Sequence, residues 1–221
     1  MHKIERMLEL TEREIPWALA RFNDGEMKAM HKAEGFVARG DQPCTADLAA
    51  LLRWALAQRA HNLFTGVPCG TCWPEWRFKA DQTVGKLETD FKTLAVVQTN
   101  RNLIRFKTTM GKLLAKRRVV WISGEDQDVT KLPFLPKRGV SVPTKDAYTE
   151  SRDYLFREAT FHPGEVVCLS CGPLATVAAV KLFLANPETT FIDVGSVWDP
   201  ETRGVSHACH DGTLKKCGEC N

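Results

Sequence analysis

Short apolar, β-branched runs alternate with helix-patterned stretches along most of this sequence, and that alternation leaves few architectures open. Strand-like runs fall at residues 17–22, 63–67, 94–99, 118–123, 140–142, 165–170 and 190–194. Helix spacing is clear at 45–60, where Thr45 is a ready N-cap ahead of Leu48, Leu51, Leu52, Ala55 and Leu56. It recurs at 100–116, 146–160 and 173–185, with an amphipathic helix at 1–14 and a short one from Glu26. Repeated β-then-α order predicts a doubly wound α/β domain, a largely parallel, Rossmann-like sheet with helices on both faces. Ligands of such sheets bind outside the carboxyl ends of the strands. The loops to inspect are therefore 23–26, 68–76, 99–101, 124–128, 171–173 and 195–200.

The 221 residues, 43% apolar and 26% charged, suffice for one well-buried core. No apolar run approaches the roughly 20 residues that cross a bilayer, and the start has no apolar leader pattern. The expectation is a cytoplasmic protein with no membrane partner. A net charge of +3 is too small to imply nucleic-acid binding, although Arg101, Arg105, Lys107, Lys112, Lys116, Arg117 and Arg118 concentrate charge along one helix and its end.

The most informative stretch is Arg21-Phe22-Asn23-Asp24-Gly25-Glu26, just after the first candidate strand. If the chain is still extended there, Asp24 and Glu26 fall on one side of it, with Gly25 allowing a sharp turn between them. Two carboxylates near an arginine suit a diphosphate, with or without a hard divalent cation. The alternative is that Asp24 caps the next helix and Glu26 enriches its first turn. Gly172-Pro173 either turns N–H groups toward phosphate or is an ordinary tight βα turn. Asp193 reaches a ribose hydroxyl or fixes a neighbouring loop, and Arg101, at a helix start on the ligand side, is placed to meet a diphosphate.

Eight cysteines form a second constellation. Cys69-Gly70-Thr71-Cys72 and Cys217-Gly218-Glu219-Cys220 are both C-x-x-C, and two such pairs complete a tetrahedral structural Zn2+ site. A local alternative uses Cys209 and His210 with Cys217 and Cys220. Cys168 and Cys171 also form C-x-x-C before a helix, which raises a thioredoxin-like redox pair, but Cys168 sits inside an apolar run. No Gly-x-Gly-x-x-Gly fingerprint supports a dinucleotide cofactor.

Arg-Phe-Asn-Asp-Gly-Glu after an N-terminal strand resembles the signature of GT-D-type glycosyltransferases, Arg-aromatic-Gly-Asp-Gly-Glu, with its Asp-x-Glu pair at the nucleotide-sugar site. Val142-Pro143 with Ala147-Tyr148, the run Val167–Ala175 through Gly172-Pro173, and Phe191–Ser196 resemble later family segments, in order, over roughly residues 16–200. Asn23 stands where the family commonly has Gly. The resemblance implies transfer from a nucleoside-diphosphate sugar donor to a hydroxyl acceptor: a glycan, a protein or a modified base in nucleic acid. It implies Asp24 and Glu26 as catalytic or Mn2+/Mg2+-holding groups, with Arg21, Asn23, Gly25, Arg101, Gly172 and Asp193 around the donor. It does not account for the cysteines. The expected organisation is a transferase domain over 1–200 and a Cys/His-rich tail over 201–221. The rival reading is a zinc-stabilised nucleic-acid-binding protein without transferase activity.

Overall fold

The computed structural model describes residues 3–31, 37–38, 42–68, 70, 74–84 and 100–206. The expected strand at 94–99 and the cysteines and histidine at 69, 72, 209, 210, 217 and 220 lie outside the described residues.

The chain runs α1 (Lys3–Glu12), β1 (Ala18–Arg21), α2 (Asp24–His31), the short antiparallel pair β2 (Val37–Ala38) and β3 (Gln42–Pro43), α3 (Ala46–Ala57), β4 (Leu63–Gly66) and α4 (Pro74–Val84). Then come α5 (Asn100–Arg105), a π-helical stretch Phe106–Met110, α6 (Gly111–Leu114), β5 (Arg118–Gly124), β6 (Arg138–Val142) and α7 (Ala147–Asp153). A second π-helical stretch, Tyr154–Glu158, leads to β7 (Glu165–Ser170), α8 (Pro173–Ala185), β8 (Thr190–Asp193) and α9 (Asp199–Thr202).

Six strands form one parallel sheet in the order β4-β1-β8-β7-β5-β6. Side chains alternate across it with period two. Ala18, Ala20, Val120, Ile122, Val167 and Leu169 face a core shared with α2, α3 and α8. Trp17, Leu19, Val119, Trp121, Val166 and Cys168 face a second core closed by α1, the 103–114 helix and Trp198. α8 is apolar nearly all round, and ten of its residues are buried, so it is a central helix rather than a surface one.

α3 begins where expected because the Thr45 hydroxyl accepts the Leu48 N–H at 3.1 Å. α8 begins at Pro173, after Gly172 at φ +61°, a left-handed region that favours glycine. The β2–β3 pair and α4 were not anticipated. Only Ala80 of α4 is buried, so that helix carries no apolar period to read. The domain boundary expected at 200/201 falls within α9, where Thr202 is buried.

The strand order sets the site. β1 is followed by α2, whose Met27, Ala29 and Met30 enter the first core, whereas β8 is followed by Val194, Val197 and Trp198, which enter the second. β1 and β8 are neighbours whose continuations leave on opposite faces, and in such sheets the carboxyl ends at this switch point are where ligands bind.

Candidate functional site at the carboxyl edge

Arg21, the last residue of β1, is 3% exposed and faces Asp193, the last residue of β8, also 3% exposed. Arg21 Nη2 donates to Asp193 Oδ1 at 3.2 Å, and the Arg21 backbone N–H donates to Oδ2 at 3.1 Å. The Thr176 hydroxyl, in the first turn of α8, bonds both the Arg21 carbonyl (3.0 Å) and Asp193 Oδ2 (3.1 Å). Three elements are thereby tied at one point. Arg21 Nε and Nη1 are buried and unpartnered among the described residues.

Asp193 therefore joins the end of β1 to the first turn of α8. Both of its oxygens accept hydrogen bonds from inside the protein in this arrangement.

The Asp24 and Glu26 geometry differs from the extended one. α2 already begins at Asp24, with Asn23 as the residue before it: the Met27 N–H donates to the Asn23 carbonyl at 2.9 Å. Glu26 reaches back to accept the Asn23 N–H at 2.8 Å, half of a capping box. Two positions apart on a helix turns side chains far from a common face. Asp24 is 49% exposed and paired with Lys28 at 2.8 Å, while Glu26 is 8% exposed and turned inward. The cap is thus Asn23, not Asp24. Gly25 makes no sharp turn; it lies within α2, outside the positive-φ glycines, with nothing within 4 Å of where a β-carbon would be.

Asp193 contacts the buried guanidinium directly, whereas Glu26 bonds the Asn23 N–H and feels both charges only through space. Burial, and next the Asp193 charge, push the Glu26 carboxyl up to about 7, against the Asn23 N–H and Arg21. Burial raises Asp193 as well, with Arg21 and its other donors opposing.

A polar chain continues along the edge from residues not singled out in the sequence. Gln127 Nε2 donates to the Ser170 hydroxyl at 2.7 Å, which donates to the Gly195 carbonyl at 2.8 Å, and Trp121 Nε1 donates to Gln127 Oε1 at 3.3 Å. Thr176 had one visible signal, a lone hydroxyl among the apolar residues of α8. Gln127 and Ser170 had none. Gly172 sits beside this cluster as the residue before α8. Arg101 lies in the first turn of α5. The helical run that α5 opens continues to Leu114, just before β5; the placement of the Arg101 side chain is outside what is described.

The redox reading of Cys168 and Cys171 does not hold. Both are buried free thiols, and burial raises their pKa well above the usual range, so the reactive thiolate is disfavoured. No group of three or more metal-binding side chains occurs among the described residues. Among them, too, no helix is long and apolar enough to cross a membrane.

The fold has relatives of known structure. A selenomethionine-substituted domain of unknown function 1792 superposes with a TM-score of 0.68 at 16% identity, over 98% of this chain and 91% of that one. A second DUF1792 structure, described as having a distinct glycosyltransferase fold, matches with a TM-score of 0.67 at 16% identity and the same coverage. This chain has the DUF1792 fold. A third structure with that fold, a glycosyltransferase from Streptococcus sanguinis, gives 0.68 at 15% identity over 92% of this chain and 85% of its own. No protein-family model matches the sequence, and no curated protein is similar to it in sequence. The DUF1792 fold agrees with the GT-D resemblance read from residues 21–26, and the parallel doubly wound architecture is as expected.

Proposed function

We propose that this chain is a glycosyltransferase that moves a sugar from a nucleoside-diphosphate donor to a hydroxyl acceptor. The observation that carries this is the Arg21–Glu26 turn at the switch point of a glycosyltransferase fold, where α2 opens directly after β1. Free N–H groups and the dipole at a helix start favour an anion, and the open space over Gly25 lets a diphosphate approach the backbone closely. Asp24, exposed on the same first turn, faces the incoming donor.

A Mn2+ or Mg2+ ion at such a site is held by one or two carboxylates plus phosphate oxygens. Asp24 fits that description once Lys28 gives way, since an exposed i,i+4 ion pair is worth only about 0.3–0.5 kcal/mol. Glu26 does not fit, because its carboxylate is buried and caps Asn23. When bound, the ion supplies positive charge to the leaving diphosphate. Glu26 instead holds the 21–26 turn in shape, and Arg21 with Asp193 fixes where β1 ends. Arg101 and Gly172 remain candidates for the donor phosphates.

The acceptor is a hydroxyl compound, and nucleic acid is the less supported class. Arg105 pairs with Glu5, Lys107 with Glu201 and Arg117 with Glu14, while Arg118 donates to the Pro163 carbonyl. Lys112 and Lys116, exposed, lie near the start of β5, at the edge opposite the site. The cysteine pairs Cys69/Cys72 and Cys217/Cys220 are proposed to hold one structural Zn2+. Metal analysis tests this: zinc lost from both Cys69→Ser and Cys217→Ser supports it, and zinc-free wild type excludes it.

The direct test of transfer is a nucleotide-sugar panel scored by thermal stabilisation and by transfer or hydrolysis, with and without Mn2+. A donor at 100 times its Kd stabilises by about 2.7 kcal/mol. A chain that no nucleotide-sugar stabilises and that turns none over is not a transferase.

A further inference from the structure

A pocket of about 330 Å3 opens between α3, α8, and α7 with its π-helical continuation. None of Arg21, Asp24, Glu26 or Asp193 lines it. Its walls combine cations with aromatic rings. The Tyr148 hydroxyl donates to Asp47 Oδ2 at 2.6 Å, and Arg152 donates to the same carboxylate and to the Tyr148 oxygen at 3.1 Å. That carboxylate is spent on its own neighbours. Asp153 lies 3.8 Å from Arg157 and 3.9 Å from Arg152. Lys181 has no carboxylate within ion-pair distance among the described residues; its ammonium lies 4.5 Å over the Phe156 ring. Three cations against two carboxylates leave the pocket with net positive charge.

The π-helical stretch Tyr154–Glu158 carries Phe156 and Arg157 into this wall. Such stretches are rare, cost stability relative to α-helix, and recur at functional sites. Phe156 and Leu51 offer an apolar wall beside the cations, the usual composition of a small-molecule site.

We propose that this pocket is a second binding site, for a small organic anion. Its phosphate or carboxylate is held by Lys181 and Arg157, and its ring or apolar body lies against Phe156 and Leu51. The proposal does not depend on transferase activity, so either can fail alone.

The test is calorimetric titration of the full chain with phenyl phosphate, with benzoate and inorganic phosphate in parallel. Phenyl phosphate or benzoate should bind at one site and more tightly than inorganic phosphate. The double variant Lys181→Glu, Arg157→Glu should weaken binding by at least about tenfold, the scale of one charge-assisted contact. Phe156→Ala should weaken the ring-bearing probes only, and Asp24→Asn should change nothing. Melting curves of each variant verify folding. Absence of binding by both ring-bearing probes, equal affinity in the double variant, or loss of binding in Asp24→Asn would each overturn the proposal.

Discussion

The Arg21 guanidinium occupies space that a side chain at residue 195 would need: a β-carbon there would lie 1.6 Å from Arg21 Nη2 and 2.8 Å from Cζ. Residue 195 is glycine at φ +47°, so both the space and the backbone conformation require it. Arg21 cannot yield easily, since Asp193 grips it from below. Gly195→Ala is expected to cost about 2–4 kcal/mol, from overpacking and a strained backbone together. Urea unfolding measures this; a loss under 1 kcal/mol would mean that the guanidinium has another place to go.

Gly25 makes the opposite case. Nothing lies near its missing side chain, and α2 is already regular there. Gly25→Ala should leave stability unchanged or raise it by up to about 1 kcal/mol, as alanine is the better helix former. Nucleotide-sugar stabilisation should nevertheless fall, because the methyl group stands where the diphosphate approaches. Thermal shifts with and without donor separate the two effects, and an undiminished donor shift would remove the α2 start from the binding site.

Asp24→Asn should fold normally, since the residue is exposed and its ion pair with Lys28 contributes little. Donor turnover should drop by roughly 100-fold, the scale of losing one charge-stabilising group. Steady-state kinetics at saturating Mn2+ check this. Near-normal turnover would leave Asp24 as a surface residue of α2.

Glu26 predicts a pH dependence in chelator-treated protein. Its folded pKa of about 7 exceeds the ordinary 4.5, so the folded state binds this proton more tightly than the unfolded chain does. This group's cost is absent below pH 4.5, grows as pH rises to 7, and is constant above. Glu26→Gln, which keeps an oxygen for the Asn23 N–H, should remove that cost. The stability difference, Gln over Glu, should widen with pH across that window by on the order of 1–3 kcal/mol. Denaturant titrations at pH 5, 6, 7 and 8 measure it, and a flat difference would mean that Glu26 ionises freely.

Local patterns carried much of this protein. The apolar runs at 165–170 and 190–194 and the Gly-Pro start of α8 mark their elements to within a residue, because burial on a sheet and a helix start each leave a short-range signature. The β/α alternation implied the parallel sheet, and the place of the Arg21–Glu26 turn at its carboxyl edge was legible too. What those residues do there was not. That Arg21 and Asp193, 172 residues apart, share one buried contact follows from β1 lying beside β8, and strand order is a global outcome of which faces bury together. Whether Glu26 joins Asp24 or turns inward depends on where α2 starts, a one-residue matter settled by Asn23 and the packing beneath it. Within the basic run 105–118, Arg105, Lys107 and Arg117 meet Glu5, Glu201 and Glu14, which arrive from distant parts of the chain. Periodicity reports which way a residue faces; only the assembled fold supplies the partner it meets.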